Sequence, residues 1–254
     1  MLIKQVFPES LMLPSQHCRY FFRGEQSAGD MENKVSGGAS AVKNSGFLDA
    51  TLWGTAGYAT VGGTLGNYCT LAAAAHDFSL ATHSMIFTLR IKKVLAAKPG
   101  AEQYIVSSYD PGTNTGGIII SCRTDGSARM YVNAADGTSV QVGTAADVVT
   151  DGVTPVERSL VWMFPRESGT SCQLGVDALP YTTANAATIY GKSFVGGRSM
   201  RIGQGQTASA IAAYQIAAFG CYALPFDLSG VDFRQVYDWA YRNPGAPMPD
   251  WVFA

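Results

Sequence analysis

A short glycine-rich stretch late in the chain could bind phosphate. Residues 200–210 read MRIGQGQTASA, in which Gly203, Gly205 and Ala208 have the spacing G-x-G-x-x-A after a strand-like run. In dinucleotide-binding loops this spacing lets backbone amides approach a pyrophosphate at the N-terminus of a helix. The segment that follows, AAYQIAAFGCYAL, alternates like a strand and contains the helix-breaking Gly220. The glycines therefore predict a turn between two antiparallel strands, and we expect no nucleotide cofactor.

Nucleophilic and metal-binding chemistry finds little support in the sequence. His17 and Cys18 are the right residue types for a base and a nucleophile, but adjacent strand residues point to opposite faces of a sheet. His76 and His83 flank a predicted turn without a carboxylate at metal-ligand spacing. The cysteines are odd in number and contain no C-x-x-C pair, which predicts buried thiols. They are Cys18, Cys69, Cys122, Cys172 and Cys221. We expect neither a metal nor a cofactor.

Carboxylates and aromatic rings are the remaining candidates. Glycoside hydrolysis needs two paired carboxyl groups, whereas the glutamates of this chain are isolated in sequence. They are Glu9, Glu25, Glu32, Glu102, Glu157 and Glu167. Four aromatic residues in or near predicted loops could stack on pyranose rings: Trp53, Tyr58, Tyr109 and Tyr131. Aromatic residues also fill cores and anchor interfaces, and the sequence favours that role while leaving a sugar-binding surface open.

The elements that carry these side chains are predicted to be short β-strands. The segment HSMIFTLRIKKV predicts a strand with one buried face, because one set of residues alternates with another. The first set is Met85, Phe87, Leu89 and Ile91, and the second is Ile86, Thr88, Arg90 and Lys92. Further strands are predicted in RYFFRG, YCTLAAA, QYIVSSY, GGIIISCR, SARMYVNA, TSVQVGT, RSLVWMF, SCQLGVD, SMRIG and AAYQIAAFGCYAL. Asp-Gly pairs at 125–126 and 136–137 are typical of tight hairpins. This pattern is typical of an all-β antiparallel sandwich or barrel, and we predict a two-sheet sandwich.

The two ends of the chain differ from this pattern. One helix is predicted between Ser229 and Arg242. Residues 1–16 and 243–254 combine prolines with apolar side chains, and we expect extended arms that dock on neighbouring subunits, with 17–242 as the single folded domain. The candidate docking residues are Phe7, Leu11, Leu13, Trp251 and Phe253. The alternative is that both ends fold back onto their own domain.

The amino-acid composition limits the classes of partner that we expect this chain to bind. The 254 residues carry a net charge of −1 and no long basic run, which argues against nucleic acid. Only 15% of the residues are charged, against about 25% in an average domain. This low charge predicts a surface partly covered by other subunits, a merely neutral surface being the alternative. No secretory h-region and no apolar stretch long enough to span a bilayer is recognisable, so we expect synthesis in a reducing cytoplasm and no membrane insertion.

With the strands placed, the chain resembles a laminin-G-like, concanavalin A-like jelly roll of the kind found in lectins and in tailed-phage virion proteins. The resemblance covers residues 19–242 and depends on DFSLATHSMIFTLRI, GGIIISCRTDGSARMYVNAADG, RSLVWMF with SCQLGVDAL, MRIGQG and IAAFGCYALP. Asp177-Ala178 replaces the family's usual Asp-Gly turn, and Ala217-Ala218 stands where acids are often found. Since no calcium-binding carboxylates match, the resemblance implies no metal.

These observations lead to two main hypotheses. The first is a non-enzymatic structural protein of a tailed-phage virion, a subunit of the tail, a fibre or the capsid exterior, that assembles with copies of itself and with other virion proteins. The alternative is a lectin-like adhesion module that binds a host-surface glycan, and a virion adhesin would be both. A glycoside hydrolase with an unfamiliar carboxylate pair is a third hypothesis.

Overall fold

The chain folds into fourteen β-strands and one short helix within the residues described by a computed structural model. The described residues are 18–224, with gaps at 36, 77–81, 110–115, 165–170, 178, 186–188, 190–191, 193–197 and 207–210. The strands are β1 (Cys18–Arg23), β2 (Val42–Lys43), β3 (Ala59–Val61), β4 (Cys69–Leu71), β5 (Ser84–Lys93), β6 (Gln103–Ser107), β7 (Gly117–Cys122), β8 (Ala128–Asn133), β9 (Ser139–Gly143), β10 (Glu157–Phe164), β11 (Ser171–Val176), β12 (Leu179–Asn185), β13 (Met200–Ile202) and β14 (Tyr214–Leu224). The helix is α1 (Asp49–Leu52), and Ala73–Ala75 form a 3₁₀ turn.

The strands form two seven-stranded antiparallel sheets, which confirms the predicted two-sheet sandwich. The first sheet has the order β1-β14-β5-β10-β11-β12, and β3 also pairs with β14. The second has the order β2-β4-β13-β6-β7-β8-β9. Strands β6 to β9 are consecutive neighbours, as their turn residues predict, whereas β14 lies between β1 and β5 and so joins the two ends of the described chain.

The core lies between the inner faces of the two sheets. Strand β8 shows the alternation clearly, because Ala128, Met130 and Val132 are buried while the residues between them are half-buried. Large side chains from the first sheet, including Trp162 and Phe87, are fully buried against this face. Burial of apolar side chains is the main favourable term in folding, and the period-two pattern directs these side chains to one side.

The prediction that β5 buries only one face is wrong at the centre of the first sheet. Ile86 and Thr88 on the outer face are fully buried, as are their neighbours Val161 and Tyr222. A near-continuous apolar sequence is typical of strands buried on both faces. Gly220 fits this packing, since a Cβ there would lie 2.6 Å from the Thr88 hydroxyl oxygen and 2.7 Å from the Tyr222 ring.

The predicted helix at 229–242 and the arms at 1–16 and 243–254 lie outside the described residues. Among the described residues, no helix has the length and apolar character needed to cross a membrane.

Candidate binding groove

A row of residues crosses the outer face of the first sheet and forms a groove. Arg23 of β1 pairs with Ala218 of β14, Ala218 pairs with Arg90 of β5, and Arg90 pairs with Ser159 of β10. Residues paired directly across strands share a face, and neighbouring strands lie about 4.8 Å apart. The two arginines therefore stand about 10 Å apart on either side of an alanine. Because the two arginine side chains are long and the alanine side chain is short, an open space remains above Ala218.

A β-bulge shapes one end of this groove. The pairing of β14 with β5 shifts between Ile216 and Ala218, so Ala217 is an extra residue whose carbonyl accepts a hydrogen bond from the Gly24 amide at 2.9 Å. Gly24 also bridges to Gly57. A Cβ on Gly24 would lie 2.3 Å from the Gly57 oxygen, so only glycine allows this approach. The contact places the residue after Gly57, which is Tyr58, at the rim.

The groove has a volume of about 570 Å³ and is partly open to solvent. Its lining comprises Phe21, Arg23, Gly24, Glu25, Gly57, Tyr58, Arg90, Glu157, Ser159, Ala217 and Ala218. Small residues form the floor, whereas aromatic and charged side chains form the walls. The lining is about as polar as it is apolar, which differs from the predominantly apolar pockets of drug-sized ligands and suits a polar ligand.

Glu157 connects the two walls. Its carboxylate accepts a hydrogen bond from the Tyr58 hydroxyl and a charge-assisted hydrogen bond from Arg90 Nε at 2.6 Å. Arg90 also forms an ion pair with Glu157. The hydrogen bond to Glu157, together with partial burial, raises the pKa of Tyr58. The hydrogen bond to Glu157 holds the Tyr58 hydroxyl at the groove.

The charges in the groove balance. Arg23 and Arg90 are matched by Glu25 and Glu157, and the Arg23 guanidinium carbon lies 5.7 Å from the centroid of the Phe21 ring. The groove thus offers donors, acceptors and an aromatic ring without net charge. Such a set suits a ligand that carries many hydroxyl groups.

Glu25 and Glu157, which are isolated in the sequence, both line the groove. No sequence spacing predicts their proximity, because it depends on the bridge between Gly24 and Gly57 and on strand pairing. Two carboxyl groups in one groove are a minimum for glycoside hydrolysis. Glu157, however, is occupied by Tyr58 and Arg90, and Glu25 is exposed.

The glycine-rich loop after β13 is a packed turn. The Gly203 amide donates a hydrogen bond to the Ile105 carbonyl at 2.6 Å, and Arg201 donates to the Gly205 carbonyl at 3.2 Å. The next described strand is β14, so the segment connects two strands, but they lie in different sheets and are not paired, and the predicted turn between antiparallel neighbours is wrong in that respect.

The four aromatic candidates divide into three groups. Trp53 is buried in the core, and its indole nitrogen donates a hydrogen bond to the Gly29 carbonyl at 3.0 Å, which confirms the core interpretation for this residue. Tyr58 is half-buried at the groove. Tyr131 of β8 in the second sheet and Tyr109, which follows β6, are half-buried and do not line the groove.

The five cysteines and His76 lie in buried sites that disfavour nucleophilic and acid–base chemistry. All five cysteines are buried thiols, as predicted. Burial raises the pKa of Cys18 and of Cys69 to about 12, which disfavours the nucleophilic thiolate. Burial also lowers the pKa of His76 to about 4. Within the described part of the chain, no group of three or more His, Cys, Asp or Glu side chains could hold a metal ion.

The proposed docking residues lie outside the described residues, as does His17. Their role in assembly stays a prediction. The docking residues are Phe7, Leu11, Leu13, Trp251 and Phe253.

The fold is shared with known binding domains. No protein-family model and no curated protein matches the chain. The binding domain of botulinum neurotoxin serotype D matches with a TM-score of 0.62 at 11% identity, covering 91% of this chain and 54% of that one. The binding domain of Paraclostridial Mosquitocidal Protein 1 matches with a TM-score of 0.64 at 11% identity and the same coverage. The Ruminococcus gnavus IT-sialidase CBM40 has a TM-score of 0.46 at 15% identity, covering 62% and 84%.

The chain spans about half the length of the two toxin domains. At these identities the likeness shows a common all-β fold.

Proposed function

We propose that this chain is a carbohydrate-binding module and that a sugar binds in the groove on the first sheet. The observation that carries the proposal is the in-register row Arg23–Ala218–Arg90, with Tyr58 at its rim. A pyranose presents hydroxyl groups at its edge and C–H groups on its face. The groove provides hydrogen-bonding side chains for the edge and the Tyr58 ring for the face.

Pre-organisation supports this proposal. Glu157 holds both Tyr58 and Arg90, so a ligand does not have to immobilise these side chains when it binds. Ordering a long side chain on binding costs about 0.5–1.5 kcal/mol, and a network that exists before binding avoids this cost. The balanced charge favours a ligand whose recognition depends on hydroxyl groups.

The two toxin structures with the higher TM-scores are both named as binding domains, which agrees with a role in recognition.

We propose that the chain is not an enzyme, since the groove carboxylate Glu157 is committed to structural contacts. The resemblance to laminin-G-like domains, the virion location and the oligomeric assembly stay predictions. A carbohydrate-binding subunit of a virion would satisfy both original hypotheses.

The experiment is a printed array of host-cell and bacterial-surface glycans, probed with the full chain, followed by calorimetric titration with the glycan that gives the strongest signal. Ala218→Phe should abolish binding, because a phenyl ring would fill the space between Arg23 and Arg90. Tyr58→Ala should weaken binding at least about 10-fold, equivalent to about 1.4 kcal/mol.

Ala101→Phe is the matched control, because it adds the same ring at an exposed position away from the groove and should leave the dissociation constant unchanged. Circular dichroism of each variant checks the fold. The proposal is wrong if no glycan binds above background, or if the bound glycan retains its affinity for folded Ala218→Phe. Release of reducing sugar that is lost in Glu157→Gln would instead support a hydrolase.

A further inference from the structure

Four exposed apolar side chains lie in loops at one end of the sandwich. At this end, Lys93 of β5 pairs with Tyr214 of β14, and Tyr214 pairs with Val61 of β3. Glu157, the first residue of β10, pairs with Lys92 of β5. The loops after β3 and β5 and the loop before β10 therefore leave the first sheet at the same end. We call the four side chains the apolar tip, and they are Leu65, Val94, Leu95 and Val153.

The three loops that carry the apolar tip pack against one another. The Thr150 hydroxyl donates a hydrogen bond to the Ala96 carbonyl, which joins the loop before β10 to the loop after β5. A Cβ on Gly152 would lie 3.7 Å from Lys98 Cγ, so the same two loops also touch there. Residues 211–213 connect the loops after β3 and β5, because two of their carbonyls accept hydrogen bonds from those loops at 2.9 and 3.0 Å. The apolar tip therefore stands on one connected group of loops.

The loop after β5 keeps its backbone carbonyls paired without water. The buried Lys93 ammonium donates hydrogen bonds to the carbonyls of Leu95 at 2.9 Å and Ala97 at 2.7 Å. The carbonyl between them, that of Ala96, accepts the hydrogen bond from Thr150. Three successive carbonyls beside exposed apolar side chains thus have partners within the protein. In an apolar medium, backbone polar groups destabilise the structure unless they have such partners.

The loop before β10 has the same property for its backbone amides. The Asp151 carboxylate accepts hydrogen bonds from the amides of Val153 at 2.7 Å and Thr154 at 2.9 Å. The Gly152 amide donates to the Thr150 hydroxyl oxygen at 3.2 Å. The Val153 side chain is 81% exposed. It can leave water while these three amides keep their acceptors.

The charges around the apolar tip balance. Lys98 forms an ion pair with Asp147, and Glu102 at the far end of the same loop forms one with the arginine of β8. The remaining charges of the three loops and the end of β5 belong to Asp151 and the buried Lys93, which have opposite signs. Binding to anionic membranes depends on clusters of basic side chains. An apolar surface without net charge instead favours a neutral lipid.

We infer that the apolar tip contacts the surface of a neutral phospholipid bilayer and places its side chains between the lipid headgroups. A bilayer is fluid and accepts separate apolar side chains without a complementary shape. Its affinity grows with the apolar area that is buried. The sequence predicts no spanning segment, and contact with one leaflet requires none. The inference is independent of the proposed sugar site, because none of the four side chains lines the groove.

A protein partner fits the apolar tip less well. A stable protein interface contains about 20–30 residues on each side, and four side chains supply only a small part of this. The paired backbone groups also leave few donors and acceptors for the hydrogen bonds that such interfaces contain.

The test is flotation of the full chain with phosphatidylcholine vesicles in a density gradient. We expect the chain to float with the vesicles. Raising the salt concentration should not release it, because the contact depends on apolar burial. Leu95→Asn should lower the partition coefficient at least about 10-fold, since it forfeits the burial of a leucine side chain. The double variant Leu95→Asn with Val153→Asn should not float.

Val42→Asn is the matched control. Val42 is 56% exposed, and its pairing with Thr70 places it on β2, outside the three loops. This variant should float like the wild type. Circular dichroism and the melting temperature of each variant check the fold.

A second measurement locates the contact. Leu95→Cys can be labelled with an environment-sensitive fluorophore in the native state, where the five native thiols are buried. We expect the emission to shift to the blue when vesicles are added. The same label on Val42→Cys should show no shift.

Absence of flotation with phosphatidylcholine overturns the inference, as does flotation that the double variant retains or a label at position 95 that does not respond. Flotation only with phosphatidylserine vesicles, lost at high salt, would also overturn it. A dimer in sedimentation that the double variant dissociates, without flotation, would instead assign the apolar tip to self-association. Phosphatidylcholine carries no sugar, so the proposed sugar site stands or falls separately.

Discussion

The buried histidine makes the stability of this protein depend on pH in a specific way. His76 follows the 3₁₀ turn at Ala73–Ala75, is 3% exposed, and has an Nε2 atom without a hydrogen-bond partner among the described residues. Burial lowers the pKa of His76 from 6.5 to about 4. The folded protein therefore keeps the ring neutral at pH values where the unfolded chain has already taken up a proton.

The contribution of neutral His76 to the free energy of unfolding is therefore at its maximum above about pH 6.5. It decreases as the pH falls toward about 4. The difference between these two pKa values corresponds to about 3 kcal/mol, which is a large part of the 5–15 kcal/mol typical of a domain. Below about pH 4 the folded protein also takes up the proton, and this contribution changes no further.

Urea unfolding of the wild type and of His76→Gln, at pH values from about 8 to about 4, measures this effect. Glutamine keeps a polar side chain but does not titrate, so other titrating groups affect both proteins alike. We expect the wild type to lose about 3 kcal/mol more than the variant across this range. A difference between the two proteins that stays constant with pH would refute the argument from burial.

Three further predictions concern packing, the thiols and the tail. Gly220→Ala should destabilise the fold by about 1–3 kcal/mol in urea unfolding, because the new Cβ would lie 2.6 Å from the Thr88 hydroxyl oxygen, whereas Gly100→Ala, where the Cβ meets nothing within 4 Å, should be close to neutral. A thiol reagent should modify the five buried cysteines in denaturant and be excluded in the native state, and rapid native reaction would contradict their burial. Deletion of 243–254 should disrupt a native assembly in sedimentation. An unchanged assembly with a lower melting temperature would show that the tail packs on its own domain.

The fold could be predicted from the sequence where strands alternate clearly or lie as apolar runs between turn residues. Strands β8 and β9 alternate. Strands β5, β7 and β10 were recognisable as apolar runs, although they are largely buried on both faces. Four elements, β2, β3, β12 and α1, were not predicted from the sequence. The first two have only two or three residues in a glycine-rich region, and β12 contains Pro180, which removes a backbone donor and is tolerated at a sheet edge.

The groove could not be predicted in the same way. Tyr58 and Glu157 are 99 residues apart, and their contact depends on the register of four strands and on the bulge at Ala217. One signal was present, since the small pair Ala217-Ala218 interrupts a strand of larger residues. Small residues in an outward-facing row indicate a groove only when their neighbours across the sheet are known.

The proposed sugar site lies between Arg23 and Arg90. A two-dimensional ¹⁵N–¹H spectrum of the full chain, titrated with the glycan selected on the array, locates the bound sugar. We expect the largest shifts on the backbone amides of Gly24, Tyr58 and Ala218, and we expect them to saturate with the dissociation constant found by calorimetry. Shifts confined to other parts of the chain, with these three amides unchanged at saturation, would contradict the proposed site.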